Sequence, residues 1–248
     1  MEKMKIISYG EEKNRDVIIL HGGGLGPWSV EPLAERLSEV YHVLIPYIPG
    51  HAGSGVPFDS IEKTAKELIH IIDNHMNGQV FLVMGLSLGA DIALEMLSRR
   101  RNIAIHAIIE SANVIPTRTP IPLIRSAIRL SYPLTGKESF ARTQFKQLRL
   151  PEDMFDDYFR DTSSIDEKDA EKFIISAMTY RVKEGLRNTS ANVHIVVGDK
   201  ENRDIRNSAN LINTAIENST LTVIPDLYHG EASIKLEPAF MRILASLN

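Results

Sequence analysis

The sequence predicts an α/β fold in which a mostly parallel β-sheet carries helices on both faces. Short runs of apolar and β-branched residues recur along the chain, and helical patterns separate most of them. The runs are nearly continuous in hydrophobicity rather than alternating, which is typical of strands that are buried on both faces. Strands that alternate with helices of this length form parallel sheets, whose ligands bind at the carboxyl ends of the strands.

Six apolar runs are predicted to be strands, and residues 5–8 are predicted to add an edge strand. The six runs cover residues 17–20, 42–45, 80–84, 104–109, 193–197 and 221–224. Apolar residues at helical spacing predict helices between and after them. These helices cover residues 61–76, 90–97, 211–216 and 240–247. Asp59 and Glu62 form a D-x-x-E pattern that predicts the start of the first of these helices.

The alternation of strands and helices breaks between residues 114 and 186, where no strand pattern is found. Apolar spacing predicts a short helix around residues 123–128 and a longer one around residues 173–178. A capping-box pattern at residues 164–167 is predicted to open the longer helix. The segment is therefore expected to be helical.

We expect a single domain, residues 1–248, in which residues 114–186 form a helical cap. The cap would be inserted between the strands that lie near residues 109 and 193. A long insertion in a compact domain is usually functional, so a position over the site is expected. The alternative is an insertion that packs on the flank of the sheet.

The composition narrows the classes of function. The net charge is -4 and 24% of residues are charged, which gives no electrostatic case for nucleic-acid binding. The chain has no cysteine, which excludes disulfides, thiolate metal sites and cysteine nucleophiles. No apolar run has the length of a signal-peptide core or a membrane span, so we expect a cytoplasmic protein that binds no membrane. The oligomeric state stays open.

One motif indicates nucleophilic chemistry. Residues 85–89 read G-L-S-L-G directly after the predicted strand 80–84, and a helix is predicted to follow. A G-x-S-x-G nucleophile elbow requires this context, because its glycines leave room for a tight turn from which the serine hydroxyl stands clear of the sheet. The motif predicts that Ser87 is an exposed nucleophile. The alternative interpretation is that Ser87 is a helix N-cap.

A serine hydroxyl needs a base to take its proton and an acid that orients the base. On this kind of sheet the expected chain order is serine, acid, histidine, and three histidines follow Ser87. His106 and His194 lie at the starts of strands, at the edge opposite Ser87. His229 follows the last predicted strand and lies at the same edge as Ser87, so it is expected to be the general base.

Three carboxylates compete for the role of the orienting acid. Asp199 and Glu201 lie in the loop after strand 193–197, and Glu110 lies at the end of strand 104–109. Asp199 leaves its strand almost at once. Glu201 has two more residues and a longer side chain with which to reach the imidazole. Reach alone does not choose among the three.

The loop after strand 17–20 reads H-G-G-G-L-G-P-W at residues 21–28. Its glycines let the backbone approach a ligand closely. Together with the N–H group of Leu88, this loop is expected to supply the backbone donors that an oxyanion requires. The glycines lack the spacing of a nucleotide-binding loop.

With these residues assembled, the chain resembles the α/β-hydrolase superfamily, in particular its small serine hydrolases and esterases with a helical cap. The resemblance covers nearly the whole chain and implies the α/β-hydrolase fold. It is specific for the superfamily rather than for a substrate. The motifs that carry it are HGGG at 21–24, PGHAGSG at 49–55, GLSLG at 85–89, GDKE at 198–201 and YHG at 228–230.

The resemblance implies a role for each matching residue. Ser87 takes the position of the nucleophile and His229 that of the general base. The oxyanion donors are the N–H groups of Gly23 and Leu88. Glu201 takes the position of the orienting acid, where members of the superfamily commonly carry an aspartate.

This departure from the common pattern leaves Asp199 as an alternative acid. His21 and His51 match positions that usually organise loops, so proton transfer is not assigned to them. Dehalogenases and epoxide hydrolases of this fold use an aspartate as nucleophile, and Ser87 at that position disfavours those activities.

We therefore expect a serine hydrolase of the carboxylesterase type, which cleaves an ester or related acyl bond of a small molecule through an acyl-enzyme. No metal and no organic cofactor is expected. A carbon–carbon bond hydrolase stays open as an alternative, because Arg118, Arg125 and Arg129 could recognise a carboxylate. A non-catalytic ligand-binding protein on a hydrolase scaffold is the second alternative.

Overall fold

The computed structural model describes residues 4–247. Within this range, seven strands form one sheet in the spatial order β1-β3-β2-β4-β5-β6-β7. Neighbouring strands are parallel, except that β1 pairs antiparallel with β3 at the edge. The strands are β1 Ile6–Tyr9, β2 Asp16–Leu20, β3 His42–Pro46, β4 Val80–Leu86, β5 Ala104–Glu110, β6 Asn192–Gly198 and β7 Ser219–Ile224. The predicted mostly parallel sheet is confirmed.

Ten α-helices accompany the sheet in the described part of the chain. They are α1 Glu31–Leu37, α2 Ile61–His75, α3 Leu88–Arg99, α4 Ile121–Ser131, α5 Glu138–Leu148, α6 Phe155–Ser164, α7 Glu167–Thr179, α8 Arg203–Ala215, α9 Glu231–Ile234 and α10 Pro238–Ala245. None of these helices has the length and hydropathy that crossing a lipid bilayer requires.

Two hydrophobic cores, one on each face of the sheet, explain the continuous apolar runs. In β2, Ile18 and Leu20 pack into the core that includes α2, α3 and α8. Val17 and Ile19 pack into the core that includes α1 and α10. Successive side chains of a strand point to opposite faces, so a strand covered on both faces needs apolar residues throughout.

The segment between β5 and β6 is helical, as predicted. It contains α4 to α7, and no strand occurs between residues 111 and 191. Apolar spacing predicts α4 and α7 but not α5 and α6. On α5 only Ala141 and Phe145 are buried, so the helix has too few apolar positions to show a helical period.

Two helix starts differ from the predicted ones. Ser60, rather than Asp59, caps α2, because Ser60 Oγ accepts a hydrogen bond from Lys63 N (3.1 Å). The Asp59 carboxylate pairs with Lys63 Nζ instead (2.9 Å). Asp166 caps α7, and Ser164, the predicted cap, is the last residue of α6. A cap requires an extended backbone before the first turn, which the residue pattern alone does not specify.

Candidate active site

Ser87 lies on a sharp turn between β4 and α3. Its backbone angles are φ 53° and ψ -115°, a positive φ that non-glycine residues rarely adopt and that often marks functional positions. The turn is anchored because Ser87 N donates to Glu110 O (2.9 Å). The Ser87 side chain makes no hydrogen bond that caps α3, so the hydroxyl does not serve as a helix cap.

The two glycines of the motif are required by close backbone contacts. A Cβ atom at residue 85 would lie 2.2 Å from Gly89 O, and a Cβ atom at residue 89 would lie 2.3 Å from Leu20 O. No methyl group fits at these separations. The glycines therefore let α3 begin directly against β4 and β2, which holds Ser87 at the carboxyl edge of the sheet.

His229 and Glu201 meet at the same edge of the sheet. His229 Nδ1 lies 2.8 Å from Glu201 Oε2. The Glu201 side chain is 1% exposed, whereas the His229 side chain is 40% exposed. A carboxylate at Nδ1 fixes the tautomer that carries its proton there, so Nε2 is the basic nitrogen.

The Glu201 carboxylate is held by hydrogen bonds on both oxygens. Oε1 accepts from Ser111 Oγ (2.8 Å) and from Gly198 N (3.0 Å), while Oε2 faces the His229 ring. A buried charge requires such partners. The carboxylate is therefore fixed in place from two strand ends, those of β5 and β6.

The Asp199 carboxylate has partners other than His229. Asp199 Oδ1 accepts from Asp226 N (2.7 Å), and Asp199 Oδ2 lies 3.6 Å from Lys200 Nζ. Asp226 has a positive φ of 62°, so the Asp199 carboxylate stabilises the tight turn after β7. Of the two carboxylates in the loop after β6, Glu201 is the one that contacts the imidazole.

Glu110, the third candidate acid, is fully buried at the end of β5. Its Oε1 accepts from Ser233 N (3.2 Å), and its Oε2 has no hydrogen-bond partner among the described residues. Burial raises the pKa of Glu110 to about 7, the Glu201 carboxylate adds to the rise, and Ser233 and His229 oppose it. Glu110 thus anchors α9, rather than hydrogen-bonding to the imidazole. The loop before α9, residues 225–230, carries His229 and is called the histidine loop.

We expect Glu110 to make the protein less stable as the pH rises towards neutrality. Its pKa is higher in the folded state than in the unfolded state, so between these values the folded state binds more protons and stability falls with rising pH. The raised pKa corresponds to a loss of about 3 kcal/mol in the free energy of unfolding, complete above pH 7.

Glu110→Gln keeps the shape of the side chain and removes its titration. Urea unfolding of both proteins at about pH 5 and about pH 8 is the measurement, because the difference between them isolates Glu110 from other titrating groups. The free energy of unfolding of the variant minus that of wild type is expected to be larger at about pH 8 than at about pH 5. Parallel pH dependence of the two proteins would contradict the prediction.

Gly23 and Leu88 lie side by side. A Cβ atom at residue 23 would lie 3.5 Å from Leu88 Cβ, so the glycine-rich loop runs against the first turn of α3. Leu88 is the first residue of α3, and its N–H group has no acceptor within the helix. Backbone N–H groups at a helix start favour a bound negative charge. This arrangement suits an oxyanion.

His21 and His51 hold the glycine-rich loop in place. His21 Nε2 accepts from Ile48 N (3.2 Å), and its Nδ1 lies 2.9 Å from Gly22 O. His51 Nε2 accepts from Gly24 N (3.0 Å). Burial lowers the pKa of His21 to about 3 and that of His51 to about 4. Both rings are therefore neutral near pH 7 and act as fixed hydrogen-bonding groups.

The histidine loop lies directly beside the serine turn. A Cβ atom at residue 230 would lie 3.1 Å from Leu86 Cδ1, so Gly230 packs on the residue that precedes Ser87. No hydrogen bond between described residues joins the Ser87 hydroxyl to His229. Catalytic hydrogen bonds are often long in unliganded enzymes and shorten when substrate binds.

Sequence reasoning did not single out Ser111. No motif marks a serine after a strand, and only the fold brings it to Glu201. His106 and His194 do lie near the amino ends of β5 and β6, away from the site, as the strand assignments predict. Within residues 4–247, no group of three or more histidine or carboxylate side chains is arranged to hold a metal ion.

One edge of the sheet thus carries a strained serine turn, a histidine–glutamate pair and two adjacent backbone segments that suit an oxyanion. Residues 17–233 match the sequence profile of the Alpha/beta hydrolase family. The chain belongs to this family. The matched range includes Ser87, Glu201 and His229.

This alpha/beta hydrolase is similar to an AB hydrolase superfamily protein from Gibberella zeae, with 27% identity over 139 residues. The aligned region covers 53% of this chain and 46% of that relative. The chain thus spans about half the length of the curated relative that it matches.

Solved structures of esterases have the same fold as this chain. An esterase (EaEST) from Exiguobacterium antarcticum has a TM-score of 0.82 and 18% identity, and the alignment covers 98% of this chain and 95% of the esterase. A thermophilic esterase from Thermogutta terrifontis, solved with malate bound, has a TM-score of 0.79 and 17% identity, covering 98% and 92% of the two chains. At these identities the similarity shows the fold.

Proposed function

We propose that this chain is a serine hydrolase of the carboxylesterase type, which cleaves a carboxylic ester or related acyl bond of a small molecule through an acyl-enzyme on Ser87. The proposal is carried by the contact between His229 Nδ1 and the buried Glu201, at the sheet edge that holds the strained Ser87 turn. An imidazole oriented by a carboxylate activates a serine hydroxyl. From the short apolar runs of the sequence we also propose a cytoplasmic location and no binding of membranes. From the net charge of -4 we propose no binding of nucleic acid.

In the first half of the reaction, His229 Nε2 takes the hydroxyl proton while Ser87 Oγ attacks the carbonyl carbon. The carbonyl oxygen becomes negatively charged, and the N–H groups of Gly23 and Leu88 stabilise it. The tetrahedral intermediate then expels the alcohol, which receives its proton from His229. Glu201 stays ionised and stabilises the imidazolium.

In the second half, His229 takes a proton from water as the water oxygen attacks the acyl carbon. The oxyanion forms again against the same N–H groups. When the intermediate collapses, the Ser87 oxygen leaves and recovers a proton from His229, and the carboxylic acid is released. Each cycle consumes one water, and the chemistry requires no metal or organic cofactor.

We propose that residues 114–186 form a helical cap over this site within a single domain, residues 1–248. Phe173 of α7 supports this placement. Its ring stacks on the His51 ring, with the centroids 4.5 Å apart. A Cβ atom at residue 23 would lie 3.6 Å from Phe173 Cδ2, so the same ring adjoins the glycine-rich loop.

Two further contacts tie the insertion to loops of the site. The guanidinium of Arg149, between α5 and α6, lies 3.7 Å from the centroid of the Tyr228 ring, next to His229. Trp28 Nε1, at the end of the glycine-rich loop, donates to Asp161 Oδ2 on α6 (2.8 Å). The insertion thus contacts both the histidine loop and the glycine-rich loop, which favours a cap over a flanking insertion.

An apolar acyl group is the favoured substrate, because a buried apolar cluster joins α5 and α6 to the residues around the nucleophile. Leu86, which precedes Ser87, belongs to this cluster. Its members are Leu25, Leu86, Ala141, Phe145, Met154, Phe155, Tyr158 and Ile234.

Two of the three arginines that could recognise a carboxylate already have acidic partners. Arg125 Nε lies 2.8 Å from Glu171 Oε1, and Arg129 Nε lies 3.9 Å from Glu167 Oε1. A paired guanidinium has less to gain from a substrate carboxylate. These contacts favour an ester without a free carboxylate.

Arg118 supports a second candidate, a carbon–carbon bond hydrolase that acts on a carboxylate-bearing substrate. Arg118 and Arg203 line an open cavity of about 750 Å³ beside the loop that carries Glu201. Comparing kcat/KM for short apolar esters with kcat/KM for dicarbonyl acids separates the two reactions. The carboxylesterase proposal requires the higher value for the esters.

Intact mass spectrometry after exposure to a fluorophosphonate tests the proposed function. An activated serine displaces fluoride from phosphorus, so wild type is expected to gain one phosphonyl group and Ser87→Ala none. No adduct on either protein would overturn the serine-hydrolase proposal in favour of a non-catalytic binding protein. An adduct on both proteins would place the reactive nucleophile at another residue.

A further inference from the structure

Ser111, the residue after β5, has a backbone conformation that its residue type disfavours. Its φ of 56° lies in the left-handed region, which L side chains rarely adopt and glycine adopts readily. The side chain is also buried, with 3% exposure. Non-glycine residues persist in such conformations where the surrounding structure requires them, often at functional sites.

The strained backbone directs the Ser111 hydroxyl between two parts of the candidate site. Ser111 N donates to Val196 O (3.1 Å), which extends the hydrogen bonding between β5 and β6 by one residue. Ser111 Oγ lies 2.8 Å from Glu201 Oε1 and 3.3 Å from Gly230 N. One oxygen atom therefore contacts both the carboxylate and the residue that follows the histidine.

The directions of these hydrogen bonds follow from the atoms available. A hydroxyl has one proton to donate and lone pairs that accept. Gly230 N–H can only donate, so the Ser111 oxygen accepts from it, and the hydroxyl proton goes to Glu201 Oε1. A hydrogen bond to a carboxylate is among the stronger ones in proteins.

We propose that Ser111 is a positioning residue, whose hydroxyl fixes the acid and the histidine loop relative to each other and so keeps Glu201 Oε2 on His229 Nδ1. The inference rests on the proposed function, because it assigns to Ser111 an effect on the proposed catalytic pair. Ser111 touches neither the substrate nor the reacting atoms, and it acts through Glu201 and Gly230.

Ser111→Gly separates a positioning role from a purely structural one. Glycine removes the backbone strain and the hydroxyl together, so the melting temperature is expected to stay within a few degrees of wild type. The kcat for a short p-nitrophenyl ester is expected to fall about 10- to 100-fold, as for a lost hydrogen bond to a charged group, with KM nearly unchanged. A purely structural serine would leave kcat unchanged in the folded variant.

Ser208→Ala is the matched control. Ser208 is also fully buried, and its hydroxyl accepts from Val114 N (3.1 Å), away from Glu201 and His229. This variant is expected to keep kcat within about twofold of wild type, because the effect should follow the bridging hydroxyl and not buried serines in general. Equal losses in the two variants would overturn the proposal.

A second measurement does not depend on activity. The His229 Nδ1 proton, held against Glu201, is followed by proton NMR of wild type and Ser111→Gly, with His229→Gln to assign the signal. A shift or broadening of this signal in Ser111→Gly supports the proposal, and an unchanged signal overturns it. If wild type neither hydrolyses esters nor reacts with the fluorophosphonate, the proposed function fails, and the NMR result alone decides whether Ser111 positions the pair.

Discussion

Ser87→Ala is expected to lower kcat for ester hydrolysis by roughly 10⁴- to 10⁶-fold, to the residual rate that oxyanion stabilisation and binding supply. The substitution removes the oxygen atom that would bond to the acyl group. Alanine tolerates φ 53° about as well as serine does, so the fold is expected to survive. Initial rates with p-nitrophenyl esters and thermal unfolding of the same samples are the measurements.

Ser98→Ala is the control for this prediction. Ser98 lies in α3, the helix that follows Ser87, but at the far end of that helix, where its hydroxyl donates to Glu95 O (2.8 Å). It is expected to keep wild-type rates. His229→Ala is expected to match Ser87→Ala, because the two groups act as a unit. Retention of most activity in either variant would show that the nucleophile and base are assigned wrongly.

Glu201→Gln is expected to lower kcat by roughly 10³- to 10⁴-fold while the protein stays folded. The amide keeps the size of the side chain but removes the charge that stabilises the imidazolium. Its NH₂ group can also donate to Nδ1, which would favour the tautomer with the proton on Nε2. Rates measured from pH 6 to pH 9 are the test. Because the amide carries no charge at any of these pH values, kcat is expected to stay low across the whole range.

Asp199→Asn tests the choice of acid. Asp199 is in the same loop as Glu201, but its carboxylate accepts from Asp226 N. Asparagine can still accept that hydrogen bond, so kcat is expected to stay within about twofold, with a stability change below about 1 kcal/mol. A large loss in Asp199→Asn together with a small loss in Glu201→Gln would reverse the assignment.

The strands could be predicted from the sequence because the sheet is covered on both faces. In β4, every residue from Val80 to Leu86 is buried, so the apolar run is continuous and easy to recognise. The helices α5 and α6 pack on a small cluster instead. On α6 only Phe155, Tyr158 and Asp161 are buried, and one of these is charged, so local hydrophobicity carries too little information to predict the helix.

The location of the candidate site could also be predicted, because Ser87 and His229 follow strands whose carboxyl ends share one edge. The choice between Asp199 and Glu201 could not be made from reach. It depends on the turn at Asp226, whose backbone N–H takes the Asp199 carboxylate, and nothing in the local sequence specifies that contact. The contacts of Ser111 could not be predicted for the same reason, since its partners come from other strand ends.

The hydrogen bond between Trp28 and Asp161 gives the protein an intrinsic fluorescent probe where the glycine-rich loop contacts α6. The chain has a single tryptophan, and the indole spans the junction between the glycine-rich loop and α6. Indole fluorescence responds to nearby charge and to water, and Asp161 supplies a carboxylate that is 7% exposed. Emission from the unlabelled wild type therefore tests whether α6 stays in contact with the glycine-rich loop when a ligand binds, and stopped-flow fluorescence gives the rate of any change.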